Sequence, residues 1–163
     1  MKQIKTSGFI LLIAVIISGC GFHLRGDIIL PALYERVQVV DKGYSDVGNS
    51  LSRALENVGS KIVSSPEAAT AVVTVLSRGT QRRALNVGGS RVREYELQLD
   101  ITFVVQNREG VQLADQQTVS VVRNFQNDPN NVLAKDNEEQ IIRQEMMQPE
   151  IIQVLRRMKA IAK

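Results

Sequence analysis

The sequence has few of the side chains on which enzymes and metal sites depend, since it contains one cysteine, one histidine and no tryptophan. One cysteine cannot form a disulfide within the chain. The histidine, His23, lacks the clustered cysteines and carboxylates that complete a metal site of normal ligand number, so no metal is expected. Aromatic residues make up 4% of the chain. The core is therefore expected to consist mainly of valine, isoleucine, leucine and alanine.

Motifs and net charge argue against two further classes of protein. The sequence contains no glycine-rich phosphate loop, no nucleophile elbow and no metal-ligand spacing, so an enzyme is the least favoured class. The formal net charge is +3, but Lys2 and Lys5 belong to the N-terminal segment. Without them, 18 basic residues stand against 17 acidic ones, a balance of +1. No nucleic-acid partner is expected, because such binding needs a large positive field.

The first 19 residues are typical of a secretory signal peptide. Lys2 and Lys5 precede an apolar run, Phe9 to Ile17, and the small residues Ser18 and Gly19 follow it. The run is too short to cross a hydrocarbon core of ~30 Å, which needs about 20 residues. A buried N-terminal helix is the alternative, but the flanking lysines and glycine argue against it. The segment is therefore predicted to be removed from the mature protein.

The end of this segment resembles the lipobox of bacterial lipoproteins. The residues are Ile17, Ser18, Gly19 and Cys20, with isoleucine in place of the usual leucine. The resemblance implies cleavage before Cys20, a diacylglycerol group on its sulfur and an acyl chain such as palmitate on its new amine; no other cofactor is expected. A free or intermolecularly paired thiol is the alternative. Gly21 stands where an aspartate would retain the protein at the inner membrane. The resemblance therefore implies a lipid anchor on the periplasmic side of the outer membrane.

After the cysteine, the sequence predicts a lipidated tether over residues 20–35 and a folded domain over residues 36–163. The tether contains Gly21, Gly26 and Pro31, which break regular structure. Within it, the segment around His23 is either a docking segment just beyond the lipid or a solvated linker.

The first part of the domain predicts a strand, a helix and a second strand. Residues 36–41 are predicted to form a short strand. Residues 46–61 are predicted to form a helix, because they carry one apolar stripe and have Gly59 at the position of the C-terminal cap. Residues 70–79 are rich in valine and threonine and are predicted to form the next strand. Two strands joined by a helix favour a right-handed βαβ unit.

The clearest period in the chain lies between Glu94 and Val105. Apolar residues alternate there with mainly polar ones, as in a strand with one buried face: Tyr95, Leu97, Leu99, Ile101, Phe103 and Val105. Turns are predicted at residues 86–90 before this strand and at residues 107–110 after it. Residues 111–125 are predicted to form a fourth strand.

From residue 131 to the end, the period changes to that of a helix. Its apolar stripe contains Met147, Ile151, Val154, Leu155, Met158 and Ile161. Pro149 interrupts the stripe, so a kink or a fresh helix start is expected there. Together the elements predict an α+β fold, a four-stranded mixed or antiparallel sheet with two helices packed on one face. The polar residues that alternate with the apolar ones along the strands leave the other face of the sheet open to water or to a partner.

Four segments of the sequence resemble the LptE family, also called RlpB, of lipopolysaccharide-assembly lipoproteins. They are GCGFHLRG at 19–26, LSRAL at 51–55, REYELQ at 93–98 and VRNFQNDPNNVLAKDNEEQIIRQEM at 122–146. The resemblance implies a two-helix, four-strand plug, one copy in the lumen of each LptD outer-membrane β-barrel. The complex would transport lipopolysaccharide to the outer leaflet. A plug would also explain the polar outer face, since large barrels enclose polar interiors.

Basic residues are the candidates for binding lipopolysaccharide, because this lipid presents phosphates and acidic sugars. Five arginines and no acidic residue lie between positions 78 and 93: Arg78, Arg82, Arg83, Arg91 and Arg93. The last four form the predicted lipopolysaccharide site, around the turn at residues 86–90. The alternative is a solvated strand edge whose charges discourage aggregation. The resemblance implies a basic residue at the hairpin tip, where this sequence has Gly88.

Lys135 is a further candidate for lipopolysaccharide binding. It matches a lysine that the resemblance implicates in this contact, and it lies near the start of the predicted C-terminal helix. The helix dipole mildly disfavours a cation there, whereas Asp136 and Glu139 have the spacing of a capping box. The alternative is that Lys135 pairs with these acids.

Two functional hypotheses follow from these patterns. The first is a lipid-anchored plug and assembly partner of LptD that contacts lipopolysaccharide and has no enzymatic activity. The second is a free-standing outer-membrane lipoprotein that binds an acidic ligand through its arginine-rich hairpin. Copurification separates them, because the first predicts a stable complex with a barrel and the second predicts a monomer.

Overall fold

A five-stranded sheet and two helices make up the protein in the computed structural model, which describes residues 28–88, 91–126 and 132–162. The elements are β1 (Arg36–Val40), α1 (Ser45–Asn57), β2 (Lys61–Ile62), β3 (Ala71–Gly88), β4 (Arg91–Asn107), β5 (Gln117–Gln126) and α2 (Val132–Ile161). The strands lie in the order β2-β1-β3-β4-β5. The predicted α+β class with two helices and a mixed sheet is therefore confirmed.

The βαβ unit is present, but the predicted number of strands was wrong. β1 and β3 are parallel neighbours, with α1 between them in sequence. The additional strand, β2, pairs in parallel with β1 at the edge of the sheet, where Lys61 donates its N–H to the carbonyl of Glu35 over 2.8 Å. Because β2 has two residues, it is too short to show the alternation that identifies a strand in a sequence.

The core lies between one face of the sheet and the two helices. The alternation predicted for β4 is confirmed, since its odd-numbered residues from Leu97 to Val105 are buried. Ile101, Phe103 and Val105 pack in one cluster with the apolar stripes of both helices. Leu97 and Leu99 pack in a second cluster with Phe125, Ile142 and Met146. In α1 the buried apolar side chains are Val47, Leu51 and Leu55, and in α2 they include Ile151, Val154, Leu155 and Met158. Gly59 follows α1 with a φ of +93°, as predicted for a C-terminal cap.

The opposite face of the sheet is open and polar at its centre. On β4, Gln98 donates a hydrogen bond of 2.9 Å to the carboxylate of Asp100, which also accepts one from Ser120 on β5. Thr102 and Thr118 form a cross-strand hydrogen bond of 3.1 Å. These hydrogen bonds satisfy the polar side chains of the face, although no helix covers it. This face of the sheet is therefore the one that the fold leaves available to a partner.

Several boundaries differ from the sequence prediction. β3 was predicted to span residues 70–79, but it extends from Ala71 to Gly88. β3 and β4 pair up to Gly88 and Arg91, so the turn between them is shorter than predicted, and residues 89–90 lie outside the description. β5 begins at Gln117, because the preceding residues form a bend held by one bridge to β4. The helix α2 continues through Pro149, so the alternative of a fresh start there was wrong.

The last residues of the predicted tether lie against the domain. Tyr34 is buried in a 3-10 turn, Ala32–Tyr34, and its hydroxyl donates a 2.8 Å hydrogen bond to the carbonyl of Met158. Burial raises the pKa of Tyr34 to about 12. Ile28 and Leu30 also pack on the core. The chain is therefore fixed to the domain from about residue 28 onward.

The N-terminal predictions concern residues that the structure does not describe. The signal peptide, Cys20 and His23 all lie among residues 1–27, outside the described residues. No helix in the described part of the chain is long and apolar enough to cross a membrane.

Candidate functional site

A β-bulge at Leu76 decides on which side of the sheet the arginines of β3 lie. Val75 pairs with Phe103, whereas Ser77 pairs with Thr102, so β3 contains one residue more than β4 at this point. The side chains of directly paired residues point to the same face of a sheet. The bulge therefore exchanges the faces to which odd and even residues of β3 point.

Two of the predicted arginines lie on the helix side of the sheet as a result. Arg78 pairs with Ile101 and Arg82 pairs with Leu97, and both of these partners are buried under the helices. Without the bulge, the two guanidinium groups would project from the open face. The bulge thus brings them to the helices and their acidic residues.

Arg83 lies on the opposite side from Arg82. It pairs with Glu96 in the sheet and forms a salt bridge of 2.9 Å with it on the open face. Together with Gln81 and Gln98, these two side chains line a small cavity of about 130 Å³. The structure therefore separates two residues that the sequence analysis placed in one site.

The remaining predicted residues have side chains outside the described part of the structure. Arg91 and Arg93 belong to β4, and Lys135 is the fourth residue of α2. The helix begins at Val132, so Glu139 lies two turns into it rather than in a capping box.

Arg82 and Arg143 share one carboxylate, that of Glu139. Arg82 Nη1 lies 2.8 Å from Glu139 Oε2, and Arg143 Nε lies 3.2 Å from Glu139 Oε1, which Arg143 Nη2 also contacts. The side chain of Glu139 is 10% exposed, whereas those of Arg82 and Arg143 are 43% and 42% exposed. The carboxylate is thus enclosed, with the two guanidinium groups nearer the solvent.

This group of three charges carries one net positive charge. Burial by itself would raise the pKa of Glu139, but hydrogen bonds from Arg143 and Arg82 lower it below its ordinary value. Glu139 is therefore ionised at neutral pH and neutralises one of the two arginines.

Aromatic stacking holds Arg82 in place. Its guanidinium carbon lies 5.1 Å from the centroid of the Tyr95 ring, which is a cation–π contact. Tyr95 in turn stacks on Phe125 of β5, with 5.6 Å between ring centroids. The side chain is thereby held between an ion pair and a ring before any ligand arrives.

Two adjoining cavities lie along these residues, and we call them together the arginine trough. The smaller, of about 330 Å³, is lined by Arg82, Glu139, Gln140 and Arg143. The larger, of about 510 Å³, lies between α1, β3 and α2 and is lined by Asp46, Ser50, Arg78, Thr80, Gln140, Arg143, Gln144, Met147 and Gln148. Gln140 and Arg143 line both. In the larger cavity Arg78 pairs with Asp46, so its charge is balanced there.

A buried acid, Glu150, lies close to the charged end of the larger cavity. It is 0% exposed, and among the described residues neither carboxylate oxygen has a hydrogen-bond partner. Burial raises its pKa to about 7, although the nearby Arg78 opposes this, and Asp100 and Asp46 raise it further. A carboxyl group in this position is partly protonated at neutral pH.

Sequence reasoning missed the acidic partners and Arg143. Their separations along the chain are the reason, since 57 residues separate Arg82 from Glu139 and 32 separate Arg78 from Asp46. One signal was available for Glu150, which lies four residues before Val154 and hence on the buried stripe of α2.

Comparison with known proteins relates the whole domain to one family. The sequence matches the LptE family, described as Lipopolysaccharide-assembly, over residues 34–158. The LPS-assembly lipoprotein LptE of Pectobacterium atrosepticum is 32% identical over 154 residues, which are 90% of this chain and 80% of that protein.

Solved structures share the fold. Lipoprotein B from Nitrosomonas europaea has a TM-score of 0.73 and 28% identity, covering 87% of this chain and 92% of that one. The minor lipoprotein from Acinetobacter baumannii has a TM-score of 0.66 and 23% identity, and the match covers 80% of this chain and 94% of that one. This second likeness concerns the fold alone.

Proposed function

Because the chain belongs to the LptE family of lipopolysaccharide-assembly proteins, we propose that it is the lipid-anchored partner of an LptD outer-membrane β-barrel. In this role one copy sits in one barrel, takes part in transport of lipopolysaccharide to the outer leaflet and binds lipopolysaccharide. The family match over residues 34–158 is the observation that carries the proposal. The protein then acts by contact and not by catalysis, in keeping with a family of assembly proteins rather than enzymes.

The proposed anchor is Cys20, through a diacylglycerol group and an acylated amine. Each buried methylene contributes about 0.8 kcal/mol, and one acyl chain anchors only marginally, so several chains are needed for stable attachment. This places the domain on the periplasmic side of the outer membrane.

The proposed contact with the barrel uses the open face of the sheet. Its centre is polar and its hydrogen bonds are satisfied within the face. The lumen of a large outer-membrane barrel is polar as well, so the two surfaces match without burying unpaired groups. The arginine trough, on the helix side, then stays available for lipopolysaccharide.

The proposed lipopolysaccharide contacts include the basic residues of the hairpin and of α2. The geometry supports Arg82, in the arginine trough, as such a contact, because its side chain is half-exposed and is held in place by Glu139 and Tyr95. Arg83, Arg91, Arg93 and Lys135 remain candidates on the grounds of charge, with Arg83 on the open face.

Replacing Val122 by arginine should separate the protein from the barrel without unfolding it. Val122 pairs with Gln98 on the open face and is 50% exposed, so a large charged side chain there obstructs the contact but not the core. We expect the amount of barrel that copurifies with a tagged chain from detergent-solubilised outer membrane to fall about tenfold.

The matched control is Ile152→Arg. Ile152 is another exposed apolar residue, 38% exposed, but it lies on α2. Both variants should keep the thermal unfolding midpoint of the unmodified protein. Equal barrel recovery with the two variants would contradict the assignment of the open face. Failure of the unmodified chain to bring down any barrel would contradict the partnership itself and favour the free-standing lipoprotein.

A further inference from the structure

We propose that the arginine trough is a binding site for an anionic sugar, one that carries phosphate or carboxylate groups, and that Arg143 is a principal contact for the anion. The inference rests on the proposed function, because lipopolysaccharide is the ligand that would bring such sugars to this face. It assigns the head group, rather than the acyl chains, to this location.

The charge distribution favours an anion at the smaller cavity. One enclosed carboxylate, Glu139, lies between two guanidinium groups that are each less than half exposed. All three side chains line the cavity, and together they carry a net charge of +1. Because the guanidinium groups are more exposed than the carboxylate, an anion that enters the cavity has access to them.

The two arginines also retain hydrogen-bond donors. A guanidinium group has five N–H donors in a planar fork. The contacts with Glu139 use one nitrogen of Arg82 and two of Arg143. Donors therefore remain for a phosphate or carboxylate, the groups whose geometry the fork matches in a bidentate manner.

The site is organised before binding. Arg82 is fixed between the carboxylate of Glu139 and the ring of Tyr95. Arg143 is fixed by the same carboxylate one helical turn away on α2. Because these side chains are already ordered, less conformational entropy is lost when a ligand binds.

The rest of the trough has the chemistry of a sugar site. Next to Arg143, the larger cavity presents the amides of Gln140, Gln144 and Gln148 and the hydroxyls of Ser50 and Thr80. Amides and hydroxyls can both donate to and accept from sugar hydroxyl groups. Met147 is the apolar residue in the lining of the larger cavity. The two volumes, about 510 and 330 Å³, lie within the range of roughly 300–1,000 Å³ usual for small-ligand sites.

The test compares ligands that differ in one property each. The full acylated chain, purified in detergent, is titrated by calorimetry with intact lipopolysaccharide, with fully deacylated lipopolysaccharide that keeps its phosphates and acidic sugars, and with inorganic phosphate. We expect the deacylated ligand to bind, and inorganic phosphate to bind at least about tenfold more weakly because it makes no contact with the amides.

Arg143→Gln should weaken binding of the deacylated ligand about tenfold to a hundredfold, the usual effect of losing charge-assisted hydrogen bonds. The affinity of Arg143→Lys should lie between those of Arg143→Gln and the unmodified chain, since lysine keeps the positive charge but lacks the planar fork of guanidinium donors. Both variants leave Glu139 paired with Arg82, and thermal unfolding verifies that they are folded. Arg53→Gln, an exposed arginine on α1 outside the trough, is the matched control and should bind like the unmodified chain.

The outcomes separate this inference from the proposed function. If intact lipopolysaccharide binds but the deacylated ligand does not, or if Arg143→Gln binds as well as the control, the sugar site is refuted and the proposed function stands. Phosphate binding as tight as that of the deacylated ligand refutes the assignment of a sugar. If the unmodified chain binds no lipopolysaccharide at all, the proposed binding function and this site are both refuted.

Discussion

Replacing Glu150 by glutamine is expected to stabilise the protein at pH 8 by about 1–3 kcal/mol and to remove most of its pH dependence between about pH 4.5 and 7. In the folded protein, this carboxyl group is fully buried, and neither oxygen has a hydrogen-bond partner among the described residues. Its charged form is therefore costly, and glutamine has the same shape without the charge.

The direction in which stability changes with pH follows from the raised pKa of Glu150. Below about pH 4.5 the group is protonated in the folded and the unfolded state alike, so it contributes no pH dependence. Between about 4.5 and 7 the unfolded chain loses the proton while the folded protein keeps it, and the stability of the unmodified protein falls. Above about 7 both states are ionised, and the loss levels off at about 3 kcal/mol.

The free energy of unfolding in urea, measured from pH 4 to 8, tests this prediction. Glu56→Gln is the control, because Glu56 is exposed on α1 and its replacement should leave the pH profile unchanged. Parallel pH profiles for Glu150→Gln and the unmodified protein would show that Glu150 titrates alike in the folded and unfolded states, so that folding does not raise its pKa, contrary to the expectation.

Replacing Cys20 by serine is expected to abolish membrane attachment of the isolated chain. A hydroxyl lacks the nucleophilicity of a thiolate, so no diacylglycerol is added, and without acyl chains the hydrophobic contribution of about 0.8 kcal/mol per methylene is lost. The variant is exported with an ordinary cleavable signal so that its mature chain also begins at residue 20. In flotation with phospholipid vesicles, the unmodified chain should rise with the vesicles and the variant should stay in solution.

Ser18→Ala is the control for this experiment, since it keeps a small residue before the cleavage point and leaves the thiol in place. It should be acylated and should float. Flotation of the Cys20→Ser chain in the absence of the barrel would show that the anchor lies elsewhere. A free thiol on the mature unmodified chain, detected by mass spectrometry, would contradict the anchor directly.

The sequence was sufficient for the parts of the fold that follow a clear period. β4 shows strict alternation, and its buried face was predicted residue by residue from Leu97 to Val105. The stripes of α1 and α2 were likewise readable. β2 was missed because two residues cannot show a period, and the start of β5 was placed too early because the polar bend before it resembles an edge strand.

The candidate site was less predictable, for a physical reason. The arginines were identified by composition, but the bulge at Leu76 reverses the face to which Arg82 points, and alternation alone does not reveal an extra residue. Glu139 and Arg143 come from a distant helix whose packing brings them to β3. A single sequence contains no signal for such pairings across the fold.

The central claim is that one acylated copy of this chain is held by one LptD barrel. Native mass spectrometry of the complex, extracted in mild detergent from outer membrane with a tag on this chain, tests it most directly. The predicted result is one species whose mass equals the barrel plus a single chain that begins at Cys20 and carries its acyl groups. A free monomer, or a barrel complex containing an unacylated chain, would contradict the account.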